Sequence, residues 1–287
     1  MNAKQQLPVR KLGPTSLQVS AIGMGCMPLS IQGRPPEDDA IRTIHAAIEH
    51  GVTFFDTADA YCLDEHDVGH NERLLAKALA GRQDVTIATK GGTTRPGGEW
   101  KRNGRPSHLK AACEASLKAL NRDVIELYQL HAPDPDVPFE ESVGALAELQ
   151  REGKIVHVGL SNVSVAQLDL ARTICSIVSV QNRMNLFDRS SADVLKRCDE
   201  LGIAFLPYSP LNGMSKAREL GRRDEVADIA SRHGVSPQRV ALAWLLSLSP
   251  NMLPIPGASK SESIADSSAA ALLRLSEDEI DTLSALG

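Results

Sequence analysis

The sequence predicts an α/β fold in which a single (β/α)8 barrel occupies residues 1–287 as one domain, with an N-terminal extension and extra C-terminal helices. Three observations carry that expectation. Past the first sixteen residues, short β-branched runs alternate with longer stretches of helical period, without a linker or low-complexity segment. The runs are nearly continuous apolar segments, as strands are in a parallel sheet whose outer face is covered by helices. There are eight of them, and eight strand–helix units in 287 residues favour a closed barrel over a doubly wound open sheet.

In chain order, the first strand is expected at Val19–Met24 and the first helix at Glu37–His50, stopped by Gly51. Thr53–Asp56 leads to a helix over Asn71–Leu79 with Gly81 beyond it. Val85–Thr89 leads to one over Pro106–Leu120, started by Ser107. Val124–Leu130 precedes Phe139–Glu152 and its stop at Gly153, and Ile155–Leu160 precedes Ser164–Arg172, with Ser164 as cap. Ile177–Val180 is followed by Ala192–Leu201 and Gly202. After Ala204–Pro207 come two helical segments, Arg222–His233 and Pro237–Leu248, the second capped by Ser236. Met252–Ile255, a helix at Glu262–Leu272 and a final amphipathic segment complete the pattern. One stretch imitates another fold. Gly23-Met24-Gly25-Cys26-Met27-Pro28 begins like the GxGxxG of dinucleotide-binding sheets, but proline stands where the third glycine belongs, so it reads as a strand-end turn.

Composition narrows the function. With 42% hydrophobic and 23% charged residues and a net charge of -5, the chain has no basic field for nucleic acid or an anionic membrane. No run approaches the roughly 18 apolar residues of a membrane span, and the start MNAKQQLPVRK lacks the apolar block of a signal peptide, so a cytoplasmic location is expected. Five cysteines, scattered and free of CxxC spacing, suggest reduced thiols rather than disulfides or a zinc site.

In a barrel the chemistry sits at the carboxyl ends of the strands. Asp56, Lys90 and His131 close three successive strands here, and Tyr61 lies in the loop after the first of them. Neighbouring strands are about 4.8 Å apart, so a lysine between the outer two and a tyrosine from the adjoining loop can bring all four together. Singly, each has a plainer reading as a cap, a turn residue or packing. Lys90 is the exception, because a buried ammonium needs a partner and Asp56 is the obvious one. That carboxylate favours the ammonium by about 4 kcal/mol at an effective dielectric near 20, which argues against a Schiff-base lysine and a class I aldolase. A fixed cation beside a phenol should in turn lower the Tyr61 pKa from about 10 toward neutrality. The set then polarises and protonates a carbonyl: Asp56 holds Lys90, Lys90 tunes Tyr61 as the acid, and His131 orients the substrate oxygen or relays the proton.

None of these side chains donates hydride, and the sequence shows no metal constellation, so a nicotinamide cofactor has to supply it. Ser161, Asn162 and Gln181 are candidates for its amide and Tyr208 for a stacking ring. The loop Gly257-Ala258-Ser259-Lys260, which precedes a helix, can meet phosphate.

These residues stand in motifs that resemble the aldo-keto reductase family from about Val9 onward. They are DTADAY at 56–61, GHNERLLAKAL at 69–79, TIATKGG at 86–92 and SLKALNRDVIELYQLHAPD at 116–134, then GKIVHVGLSN at 153–162, VQNRMNLFDR at 180–189, YSPLNG at 208–213 and PIPGASK at 254–260. The resemblance implies a barrel that binds NADPH in extended form and reduces a small-molecule carbonyl substrate, aldehyde or ketone, by direct hydride transfer. It puts the catalytic tetrad on Asp56, Tyr61, Lys90 and His131. Cofactor contacts would fall on Gly25, Cys26, Met27 and Asp56 and on Ser161, Asn162, Gln181 and Tyr208. Ser209, Leu211 and Gly213 would cradle pyrophosphate, and Gly257, Ser259, Lys260 and Ser263 would form the last cofactor loop. That loop departs from the family. Where many relatives have a Lys-Ser pair followed by an Arg, a Glu and an Asn, this chain has Gly257, Ala258, Ser263, Asp266 and Ser267. The arginine for the 2′-phosphate is missing, and Lys260 is the residue expected to replace it, which keeps NADPH ahead of NADH.

The alternative from another class is a slow-turnover, NADPH-binding regulatory module resembling potassium-channel β-subunits. Lesser features have their own readings. His66 and His70 have a HxxxH spacing better read as solvated loop than as a metal site. Trp100, with Lys101, Arg102 and Arg105, either walls the substrate pocket or packs; Cys26 and Cys62 are bystanders by default; and Asp59 is a turn residue. The short loop 132–138 and the early end of the chain predict an open site for small aromatic or aliphatic aldehydes.

Overall fold

The computed structural model describes residues 6–213 and 216–286; the extreme ends of the domain expected over 1–287 lie outside the described residues. The chain opens with an antiparallel hairpin, β1 (Val9–Lys11) and β2 (Gln18–Ser20). Strand–helix units follow: β3 (Met24–Gly25), α1 (Glu37–Glu49), β4 (Phe54–Asp56), α2 (His70–Ala78) and β5 (Thr86–Gly91). A small hairpin, β6 (Thr93–Thr94) and β7 (Lys101–Arg102), interrupts before α3 (Pro106–Leu120). Then come β8 (Ile125–Leu130), α4 (Phe139–Arg151), β9 (Ile155–Ser161), α5 (Val165–Arg172), β10 (Ile177–Gln181), α6 (Ala192–Leu201) and β11 (Ala204–Phe205). The chain ends with α7 (Asp224–His233), α8 (Pro237–Leu248), α9 (Ser261–Ala269) and α10 (Glu277–Ser284). No helix among the described residues is long and apolar enough to cross a membrane.

Seven parallel strands pair in the order β11-β10-β9-β8-β5-β4-β3, and the segment after α8 closes the ring. Met252 pairs with Phe205 at one edge and Gly257 with Gly25 at the other. The Gly25 N–H donates to Pro256 O at 3.0 Å and the Leu253 N–H to Phe205 O at 2.8 Å. The eighth strand is thus a string of bridges rather than a full ladder, because Pro254 and Pro256 have no N–H to give. Gly25 permits the closure, since a Cβ there would stand 2.8 Å from Ile255 O.

Two expected boundaries and one expected cap change. The strand expected at Val19–Met24 is two elements, because Gln18–Ser20 pairs with β1 while Met24–Gly25 enters the barrel. Ser107 caps nothing: Arg105 is the N-cap of α3 and Pro106 its first residue, with φ already fixed for the helix. The helix expected from Arg222 starts at Asp224, after a 3-10 turn over Ala217–Arg222. Ser164 and Ser236 do cap, accepting from the N–H groups of Gln167 and Arg239.

The two-residue period of the strands places the polar groups. Phe54 belongs to the cluster inside the barrel and Phe55 to the outer cluster beneath the helices, so the next inward position is Asp56. The same step carries Ala88 to Lys90, and Leu127 to Gln129 and then His131. An apolar layer of Phe54, Ala88, Leu127, Val178, Leu206 and Leu253, joined by Leu12 and Val19 from the hairpin, therefore supports a polar layer at the carboxyl end. Gly159 makes room in that polar layer, since a Cβ on it would meet Ser179 Oγ at 2.4 Å and Gln129 Cγ at 2.8 Å.

At the opposite end, the Arg10 guanidinium donates to Leu246 O and Ser249 O, both at 2.8 Å, and to Met252 O. It supplies donors to carbonyls that the end of α8 leaves free. Arg10→Ala is expected to cost about 1–3 kcal/mol of stability, read as a lower urea midpoint with little change in slope.

Candidate active site

Lys90, fully buried at 0% exposure, uses all three ammonium protons. Nζ donates to Asp56 Oδ2 at 2.7 Å, to the Thr57 carbonyl at 2.8 Å and to the Tyr61 hydroxyl at 3.0 Å. The other oxygen of Asp56 accepts from Gln181 Nε2 at 2.7 Å and Gln129 Nε2 at 3.3 Å. Both ions are therefore satisfied out of water, the condition that makes a buried pair tolerable. Burial pulls the Lys90 pKa down, but Asp56 and Tyr61 outweigh it and the net direction is up, so the lysine is a fixed cation and not a Schiff-base nucleophile.

Tyr61 corrects one expectation. Its ring is 7% exposed, and burial raises the phenol to about 12, a larger effect than the opposing pull of Lys90. The phenol is therefore protonated at neutral pH instead of poised to ionise. Its oxygen accepts from Lys90, which leaves its own proton for an oxygen in the cavity.

His131 sits edge-on to Tyr61, with ring centroids 5.8 Å apart at 82°. Burial, and then Lys90, push its pKa well below the usual value, so the imidazole is neutral. Its Nδ1 is buried without a hydrogen-bond partner among the described residues. Of the two roles expected for it, orienting a substrate oxygen through a neutral ring fits, and carrying a proton as imidazolium does not. A consequence for stability follows. Below about pH 6.5 the unfolded chain protonates this imidazole while the folded chain does not, so stability falls as pH drops. His70, His108 and His157, also lowered by burial, act in the same direction. Urea midpoints at pH 7 and pH 5 should show the loss, at most about 1.4 kcal/mol per pH unit per histidine, and His131→Gln should remove its share.

The loop carrying Tyr61 is tied down by α2. The Thr57 N–H donates to Ala88 O at 2.8 Å and its hydroxyl to Asn71 Oδ1 at 2.6 Å, while Asn71 Nδ2 donates to Cys26 O and Ser30 Oγ at 2.8 and 2.7 Å. Asp59 is a turn residue with a buried carboxyl, whose pKa burial and the neighbouring Glu72 raise. Asn71 and Gln129 are site residues that sequence reasoning missed. Gln129 had a signal in the inward alternation Leu127, Gln129, His131; Asn71 had none beyond its position at the start of a helix.

Above Lys90 lies a cavity of about 570 Å³, open to solvent. Gly25, Met27, Asp56, Tyr61 and His131 line one part of it, and Ser161, Asn162, Gln181 and Tyr208 another. Ser209, Leu211, Gly213 and Gly257 complete the predicted residues that it gathers. Lys90 meets the cavity only through Asp56 and Tyr61, and four other predicted residues stand apart. Cys26 has 0% exposure and directs Sγ to Met24 O at 3.6 Å, so its side chain belongs to the core. Ser259 is half-buried, and Lys260 and Ser263 are exposed at the first turn of α9, beyond the cavity wall. Asp266, one of the departing positions, is gripped by Arg239 through Nε at 3.1 Å and a terminal nitrogen at 2.7 Å.

Strain collects at the rim. Of the four non-glycine residues with positive φ among those described, Asn162 (59°) and Ser209 (48°) line the cavity, Asn212 (63°) stands between its lining residues Leu211 and Gly213, and Asn121 is the C-cap of α3. Trp100 is a wall residue, 49% exposed, with its ring centroid 6.4 Å from those of both Tyr61 and His131 and Arg95 stacked on it at 4.0 Å. His66 is exposed while His70 bonds Ser30 Oγ at 2.8 Å, so the HxxxH pair diverges. Burial raises the Cys62 thiol to about 11, which leaves it unreactive.

A protonated phenol backed by a buried ammonium, at the mouth of a barrel, is the equipment of a carbonyl-handling (β/α)8 oxidoreductase. Comparison with known proteins agrees: the aldo/keto reductase family matches residues 21–287, and the chain belongs to that family. A probable aldo-keto reductase 1 from Glycine max is 34% identical over 98% of this chain and 88% of its own length. Among solved structures, a thermostable aldo-keto reductase in complex with the inhibitor epalrestat superposes with a TM-score of 0.84 at 30% identity, covering 98% of this chain and 100% of that one. An aldo-keto reductase from Klebsiella pneumoniae in complex with NADPH gives a TM-score of 0.80 at 26% identity over 99% and 95% of the two chains.

Proposed function

We propose that the protein is an NADPH-dependent reductase of small aldehydes and ketones, with Tyr61 as the general acid. The observation that carries this reading is the bond from Lys90 Nζ to the Tyr61 oxygen at 3.0 Å, which fixes the phenol in the cavity wall with its proton free. When bound, the nicotinamide supplies the hydride. The residues present fit such a group. Gln181 commits its amide nitrogen to Asp56 and has its carbonyl oxygen left for a carboxamide, beside Ser161 and Asn162. The Tyr208 hydroxyl donates to Asn162 Oδ1 at 2.8 Å, which steadies its ring for stacking. The positive-φ turn through Ser209 and Asn212 to Gly213 turns backbone toward a pyrophosphate, and Gly257 leads on toward Lys260 and Ser263 for a 2′-phosphate. The Klebsiella pneumoniae relative's NADPH supports the choice of cofactor.

The chemistry asked of the chain is modest. Tyr61 and the neutral His131 would hold the carbonyl oxygen, and Tyr61 would give it a proton; Lys90, held by Asp56, would stabilise the phenolate left behind. The open mouth suits small aromatic and aliphatic aldehydes. Loss of NADPH absorbance with a panel of such aldehydes tests the reading, with NADH as competitor. Turnover with NADPH preferred supports it; tight NADPH binding with no aldehyde reduced would favour the binding module instead.

A further inference from the structure

The charged residues lining the cavity are Asp56, Lys101 and Arg102. Asp56 is neutralised by Lys90 at 2.7 Å, so the charge that a bound molecule meets is positive. Lys101 pairs with Glu99 at 3.1 Å, but both side chains are well over half exposed, at 60% and 70%, and such a pair is weak and screened. One terminal nitrogen of Arg102 donates to Pro133 O at 3.1 Å, leaving the rest of the fork unused; behind it Asp134, held by backbone N–H groups, also faces Arg105. Arg102 lines the cavity together with Tyr208, whose phenol burial raises.

These cations do not stand on the cofactor side. They sit in the β6–β7 hairpin that follows β5, and β5 is four places from β11 in the ring of seven strands and the closing segment. The turn through Ser209 to Gly213, offered above to pyrophosphate, follows β11. The two therefore rise from opposite walls, with Trp100, Tyr61 and His131 on the cations' side.

We propose, resting on the reductase reading above, that the preferred substrates are carbonyl compounds bearing a carboxylate remote from the reacting carbon, bound by Arg102 with Lys101. Arg102 offers the planar fork that matches a carboxylate, and Trp100 and His131 line the same cavity with it and Tyr61.

The test compares 4-carboxybenzaldehyde with its methyl ester, which has the same reacting carbon and no charge. At low ionic strength the acid should exceed the ester in kcat/KM by about tenfold or more, chiefly through KM, and added salt should narrow the gap. Arg102→Gln should bring the ratio near one, and Arg102→Lys should keep part of it. A binding measurement makes the result independent of turnover: quenching of tryptophan fluorescence by 4-(hydroxymethyl)benzoate against its methyl ester, with NADPH present so that the alcohol cannot react. Equal handling of acid and ester, or a preference surviving in Arg102→Gln, overturns the proposal while leaving the reductase reading intact. A carboxylate preference in binding without turnover of either aldehyde supports the subsite and sinks the reductase reading.

Discussion

Tyr61→Phe is expected to lower kcat for a small aldehyde by a hundredfold or more, while the protein should still fold and still bind NADPH. The magnitude follows from losing a positioned general acid, worth about 10²–10⁴ in rate. The fold survives because the phenyl ring keeps its packing against His131 and Trp100, and Lys90 keeps Asp56 and the Thr57 carbonyl as acceptors. The pH profile separates this from a packing defect. Burial keeps the Tyr61 phenol protonated up to about 12, so wild-type turnover should not fall between pH 7 and pH 10 through ionisation of this residue. A variant retaining more than a tenth of wild-type turnover would take the acid role away from Tyr61.

Lys90→Met is the second large effect, and it acts on stability as well as activity. Removing the ammonium leaves the Asp56 carboxylate buried with only the amides of Gln129 and Gln181, and breaking such a pair from one side costs about 3–5 kcal/mol. Turnover should be lost too, because no cation would remain to stabilise phenolate on Tyr61. Asp56→Asn in the same chain removes the stranded charge, so the double variant should recover much of the urea midpoint and none of the turnover. A coupling energy near zero in this double-mutant cycle would mean that the pair is not the linked unit described here.

Much of this was legible in the sequence, for reasons that particular residues show. Asp56, Lys90 and His131 each close an apolar run, which marks three of the four candidate residues in the sequence alone, and the inward step from Phe54 to Asp56 and from Ala88 to Lys90 is the structural reason they meet. The eighth strand was visible as an apolar run, but its bridged form came from two prolines, whose effect on pairing depends on which neighbours they face. The splitting of Val19–Met24 depended on β1, a short pairing partner with too little pattern to announce itself. Electrostatics was least legible. Contact between Lys90 and Tyr61 was foreseen, whereas the burial that outweighs it depends on all the chain packed around the phenol. Cys26 failed for a related reason: it lies at a strand end among cavity residues, yet its side chain turns to the core. Asn71 acts through side-chain bonds to Thr57, Cys26 and Ser30, contacts distant in sequence that no spacing reveals.

A single turnover of the protein with NADPH deuterated at nicotinamide C4 and a small aldehyde bears most directly on the function. Hydride transfer in the cavity beside Tyr61 predicts one deuterium on the carbinol carbon of the product, formed at least a hundredfold more slowly by Tyr61→Phe. NADPH bound tightly, with no deuterium in any alcohol from the panel, would contradict the reductase reading and make the chain a nucleotide-binding module.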